Sequence, residues 1–104
     1  MNLQDRIAIV TGSSRGIGAT TACMMAEAGA DLVINYPFPA EKENAEAVKE
    51  EVASRGRKAI VVEADVSRMD EAKKLMKKAK DEYNKIDILV NNAGITRDNL
   101  LIRM

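Results

Sequence analysis

Four short runs in the chain are mostly apolar rather than alternating, and rich in β-branched residues: Ile7–Thr11 (IAIVT), Leu32–Asn35 (LVIN), Ala59–Glu63 (AIVVE) and Ile86–Val90 (IDILV), with single polar residues at their ends or, in the last, at Asp87. A strand with one wet face alternates apolar and polar residues, whereas a strand covered on both faces reads as a continuous hydrophobic run. The stretches between these runs are charged and have helical spacing, so the pattern is βαβαβαβ. Such a pattern implies an α/β fold with a parallel sheet between two helical layers. Right-handed crossovers then restrict the topology. Strands 1, 2 and 3 step one way and strand 4 returns to the far side of strand 1, which predicts the order 3-2-1-4. The crevice between strands 1 and 4 is a topological switch point, where open α/β sheets bind ligands beyond the carboxyl ends of their strands.

Helix boundaries are marked by residue chemistry. The first helix is expected from about Arg15, turning Ile17, Thr21, Met24, Met25 and Ala28 to the sheet and stopping at Gly29. The second is expected from Pro39, with Ala45, Val48 and Val52 inward and Gly56 as its stop. In the third, Ser67 and Asp70 of SRMD read as a cap, Ala72, Leu75, Met76, Ala79 and Tyr83 form the inner stripe, and Asn84 ends it. No repeat or linker divides the 104 residues, so residues 1–104 read as one domain-sized α/β unit.

Thr11–Gly18 (TGSSRGIG) joins the first strand to the first helix. Its glycines allow a tight turn and close approach of a ligand to the backbone, and the helix N-terminus behind them attracts a pyrophosphate. A plain glycine-rich turn would look the same in isolation. The position between a strand and a helix is what favours phosphate binding. No lysine follows in P-loop spacing, which excludes that alternative. Sixteen basic and sixteen acidic residues balance, with no long block of one sign, so a nucleic-acid partner is not expected and a small molecule is. The single cysteine, Cys23, and the polar start MNLQDR suggest a cytoplasmic protein, and no apolar run reaches the ~20 residues of a membrane span. Histidine is absent, and no metal site is expected.

With these features in place the chain resembles the short-chain dehydrogenase/reductases. Thr11, Gly12, Gly16 and Gly18 match that family's T-G-x-x-x-G-x-G, Ala64–Val66 (ADV) stands after strand 3, and Asn91–Gly94 (NNAG) after strand 4. The resemblance implies a Rossmann-like three-layer fold and a dinucleotide cofactor. Gly12, Ser13, Ser14, Arg15, Gly16, Ile17 and Gly18 would surround the pyrophosphate and nearby ribose, Asp65 and Val66 the adenine, and Asn92, Ala93 and Gly94 the middle of the molecule. Asp65 could equally be a turn carboxylate at a strand end.

NAD sites tend to end the second strand with an acidic residue that binds the ribose 2′-hydroxyl. Here Asn35 and Tyr36 stand there, and Arg15 is placed to grip a 2′-phosphate, so NADP(H) is expected as cofactor. An Arg15 that merely covers the helix surface is the alternative. The proline-bracketed PFPAEKE loop leaves that wall of the site open to either outcome.

The family's acid/base tyrosine stands four residues before a lysine, but Ala40 and Asp87 follow Tyr36 and Tyr83 at that spacing, so no catalytic residue is expected within residues 1–104. The closing GITRDNLLIRM is similar to bacterial 3-oxoacyl-[acyl-carrier-protein] reductases and to acetoacetyl-CoA reductases, both NADPH-dependent on β-ketoacyl thioesters. The resemblance covers only the first part of such an enzyme. The expectation is a cofactor-binding part that is inactive alone and associates as a homo-oligomer through the open edge of strand 4 or the NLLIRM tail. A folded assembly fragment that no longer holds a dinucleotide is the competing reading. An S-adenosylmethionine site is disfavoured by the lack of an acidic residue ending strand 2.

Overall fold

A computed structural model describes residues 2–92 and the backbone of 101–103. Along the chain run β1 (Ile7–Val10), α1 (Gly16–Glu27), β2 (Asp31–Tyr36), a 3-10 turn (Pro39–Glu41), α2 (Lys42–Ser54), β3 (Ala59–Glu63), α3 (Met69–Tyr83), β4 (Ile88–Val90) and β5 (Leu101–Arg103). The parallel strands lie in the order β3-β2-β1-β4, as expected from the crossovers. β1 is central, with Ile9 opposite Val33 on one side and Leu89 on the other.

Why the strands are apolar throughout is visible in the two cores. Ala8 and Val10 of β1, with Leu32, Ile34 and Tyr36 of β2, pack on the α1–α2 side against Ala22, Met25, Ala26, Ala45, Val48 and Val52. Ile9 and Val33 point the other way, onto Leu75 and Ala79 of α3 with Val62 and Ala64. Successive side chains therefore serve opposite layers, and both layers need apolar partners.

Several expectations are corrected. β4 begins at Ile88, because Asp87 turns back to β1: its Oδ2 accepts the Ile7 N–H at 2.9 Å while its own N–H donates to the Ile7 carbonyl at 2.9 Å. Nor is β4 an open edge, since β5 pairs with it antiparallel, Leu89 opposite Ile102. The helix expected from Pro39 starts with a 3-10 turn and becomes α-helical at Lys42.

On α1 the inward face is Gly18, Ala22, Met25 and Ala26; of the stripe expected Met25 is buried, Thr21 and Ala28 are half-buried, and Ile17 and Met24 are exposed. The difference follows from size: Gly18 and the alanines let the helix lie close to the sheet, where the larger neighbours would not fit. α3 lacks the expected side-chain cap. Ser67 instead donates to Asp65, and Asp70 is paired outward with Arg68. Asn84 ends α3 in the left-handed conformation, φ 67°.

Candidate dinucleotide site

A cavity of about 740 Å³ opens beyond the carboxyl ends of β1, β2 and β3, in the size range of small-molecule sites. The β1–α1 loop forms its floor through Gly12, Ser14 and Arg15; Asn35, Pro37 and Phe38 continue from β2; Asp65 and Val66 follow β3; and Asn91 follows β4. The crossover topology brings these separate stretches to one place.

Internal hydrogen bonds hold the loop in shape. Asn35, 1% exposed, ends β2 as a bracket: its Oδ1 accepts the Gly12 N–H at 2.9 Å, and its Nδ2 donates to the carbonyls of Val62 and Ala64 at 3.2 and 3.1 Å. Ser13 is fully buried, with its hydroxyl donated to the Val10 carbonyl at 2.6 Å and its N–H to the Asn35 carbonyl at 2.9 Å. The other side is stitched by Asn92, whose N–H donates to Thr11 Oγ1 at 2.8 Å and whose Nδ2 donates to the Gly12 carbonyl at 3.3 Å.

Gly18 is needed for contact rather than conformation. A Cβ there would lie 2.3 Å from the Gly12 carbonyl oxygen, so only glycine lets α1 start this close to the loop. Gly16 has φ +63°, and a Cβ added to it would meet nothing within 4 Å, which leaves open space over the backbone at the helix start. Arg15 makes no side-chain cap, and no acidic residue stands in the first turn of α1. The positive end of the helix dipole is thus not offset by a cap or a first-turn carboxylate.

Of the residues read from the sequence as a cofactor site, Gly12, Ser14, Arg15, Asn35, Asp65 and Val66 line the cavity. Three side chains go elsewhere. Ser13 is consumed in the loop, Tyr36 lies in the α1–α2 core, and Ile17 is 79% exposed on α1 without bordering the cavity. Gly16 and Gly18 shape the loop and helix start without being part of the lining, and Asn92 acts as a stitch while its neighbour Asn91 lines the space. Ala93 and Gly94 lie outside the described residues. Asp65 is a turn carboxylate and a cavity residue at once: the Ser67 hydroxyl and N–H both donate to its Oδ1, at 2.6 and 3.1 Å, and hold its carboxyl below the usual range.

Several lining residues escaped the sequence reading, among them Phe38 and Glu41 of the proline-bracketed loop. A residue five positions past a strand end gives no sign of which way it faces until the 3-10 turn is known. Among the described residues no cluster could hold a metal ion, and no helix is long and apolar enough to cross a membrane.

A parallel sheet in the order β3-β2-β1-β4, with a glycine loop at its switch point, defines a Rossmann-type nucleotide fold. Residues 6–104 match the family described as short chain dehydrogenase, and the chain belongs to that family. It is 47% identical over 102 residues to a 3-oxoacyl-[acyl-carrier-protein] reductase of Synechocystis, a match covering 98% of this chain and 40% of that protein. To the 3-oxoacyl-[acyl-carrier-protein] reductase FabG of Staphylococcus epidermidis it is 44% identical over 100 residues, covering 96% and 40%. A Burkholderia cenocepacia protein, described as a dehydrogenase with bound NADP, superposes with a TM-score of 0.83 at 30% identity, over 86% of this chain and 34% of that one. The chain thus spans about 40% of the length of the curated relatives it matches.

Proposed function

We propose that this chain is the NADP(H)-binding part of an oxidoreductase of the 3-oxoacyl-[acyl-carrier-protein] reductase type, which reduces β-ketoacyl thioesters with hydride from NADPH. The observation that carries this reading is a cavity beyond the strand ends bordered by Gly12, Arg15, Asn35 and Asp65, with Arg15 at the uncapped N-terminus of α1. An anion is favoured at the helix start, a polar ring edge at Asp65, and a phosphate beside Arg15. The donor set and the open backbone at Gly16 fit a dinucleotide.

The nicotinamide supplies the hydride when bound. The residues of this chain bind and orient the cofactor, and the acid/base tyrosine–lysine pair is not among them. The relatives' names support the substrate class, and the NADP in the Burkholderia structure supports the phosphorylated cofactor. Self-association is proposed as well. With β4 covered by β5, its seam would be one of the outer strands, β3 or β5.

Backbone NMR with and without NADPH tests the assignment. Amide shifts concentrated at residues 14–18 and 64–67 are expected. Shifts scattered over the surface, or none, would reject the cofactor reading and favour a folded assembly fragment.

A further inference from the structure

The wall of the cavity next to Arg15 contains a carboxylate. Pro39 starts the 3-10 turn that brings Glu41 back toward the glycine loop, where it is 8% exposed. Its Oε1 accepts the Ser14 hydroxyl at 3.0 Å and the Asn44 amide at 3.2 Å, and its Oε2 lies 3.7 Å from Arg15 Nη1. Ser14, Arg15 and Glu41 all border the cavity.

We propose that Glu41 is a specificity-determining residue, which weakens the site's discrimination between a 2′-phosphorylated and an unphosphorylated dinucleotide by engaging Arg15 and placing negative charge beside the phosphate position. The inference rests on a dinucleotide occupying the cavity with its adenosine ribose toward Arg15. Both hydrogen-bond donors to Glu41 are neutral, so Arg15 is the charge that the carboxylate is paired with. The Asn44 amide and then the Ser14 hydroxyl hold the carboxyl below its usual range, and it is ionised at neutral pH.

A 2′-phosphate needs the same guanidinium and carries the same sign of charge as Glu41, so it must compete with a group that is already seated. A 2′-hydroxyl meets no such competitor and can donate to the carboxylate. The Arg15 side chain is three-quarters exposed and makes only this ion pair among the described residues, whereas Glu41 is held by two further hydrogen bonds. Selectivity for NADPH is therefore set by the difference between these two residues rather than by Arg15 alone.

The test compares NADPH and NADH titrations, followed by nicotinamide fluorescence, for the parent chain, Glu41→Gln and Asn44→Asp. Glu41→Gln keeps an oxygen for Ser14 and Asn44 but removes the charge, and the NADPH-to-NADH affinity ratio is expected to rise about tenfold. Asn44→Asp lies at an exposed position of α2 outside this cavity. It removes the amide donor to Glu41 Oε1 but sets a second negative charge beside it, which adds to the charge facing the phosphate position, and the ratio is expected to fall. A ratio unchanged in either folded variant, or moved the opposite way, would overturn the proposal. If circular dichroism shows Glu41→Gln unfolded, Asn44→Asp decides alone. A parent chain that binds neither nucleotide contradicts the dinucleotide reading itself, which is a separate result.

Discussion

Gly18→Ala puts two effects of comparable size in opposition. Gly18 lies within α1, where alanine is favoured over glycine by up to about 1 kcal/mol, so a helix free of neighbours would gain stability. The structure forbids that gain. The added Cβ would stand 2.3 Å from the Gly12 carbonyl oxygen, roughly 1 Å inside ordinary contact, 3.0 Å from the Gly12 carbonyl carbon and 2.7 Å from Asn92 Nδ2. Gly12 is backbone held by Asn35, so relief must come from moving α1 or breaking the Gly12–Asn92 bond. Overpacking of this kind costs about 1–3 kcal/mol, and a lost hydrogen bond adds about 1, so a net loss near 2 kcal/mol is expected after the helix gain is subtracted.

Urea denaturation followed by circular dichroism reads this directly, as a fall of about 1 M in the midpoint. Gly16→Ala is the control for a different cause. It meets no neighbour, and its cost is the left-handed backbone alone, about 1–2 kcal/mol. A Gly18→Ala chain as stable as the parent, or more stable, would refute the seating of α1 against Gly12 and with it the shape of the loop.

Other consequences are open to simpler tests. Arg15→Ala is expected to weaken NADPH binding about tenfold more than NADH binding in parallel titrations; equal losses would remove Arg15 from the 2′-phosphate position. Asn35→Leu leaves the Gly12 N–H and the Val62 and Ala64 carbonyls without their side-chain partner. It should lower unfolding free energy by about 2–4 kcal/mol in denaturant melts. Acid should unfold the chain in part through Asp87. Burial pushes its carboxyl up, but the Ile7 N–H and the Lys85 ammonium, with Arg6 beyond, outweigh this and hold it below the usual range. Because the folded value is the lower one, the stability is present above about pH 4 and lost as pH falls through the folded value. Asp87→Asn should flatten that acid limb in pH-dependent melts, and an unchanged limb would contradict the assignment.

The sheet order was legible because crossover handedness leaves few arrangements for four apolar runs, and two-sided burial of Ile9 and Val33 is what makes those runs apolar. Helix faces were less legible. Ile17 and Met24 look like core residues by hydrophobicity, yet the helix presents Gly18 and Ala22, whose smallness is the property that matters. At the candidate site, the glycine loop stood out by spacing and context, and Asp65 by the resemblance of ADV to the family motif. Residues inside the loop were not separable in advance: Ser13 and Ser14 are chemically the same, but one is tied to Val10 and Asn35 and the other to Glu41. Glu41 was hidden because its direction depends on a 3-10 turn, and a charged residue in an acidic and basic stretch ordinarily reads as solvated surface. β5 was missed because it joins β4 antiparallel, outside the β-α alternation that ordered the rest.

The most direct test of the central claim is equilibrium titration of the purified chain with NADPH, with NADH alongside, followed by nicotinamide fluorescence. Saturable NADPH binding, tighter than NADH binding and weakened in Gly18→Ala, where the added Cβ displaces the glycine loop, is the predicted result. Failure of the well-folded parent chain to bind either nucleotide would contradict it.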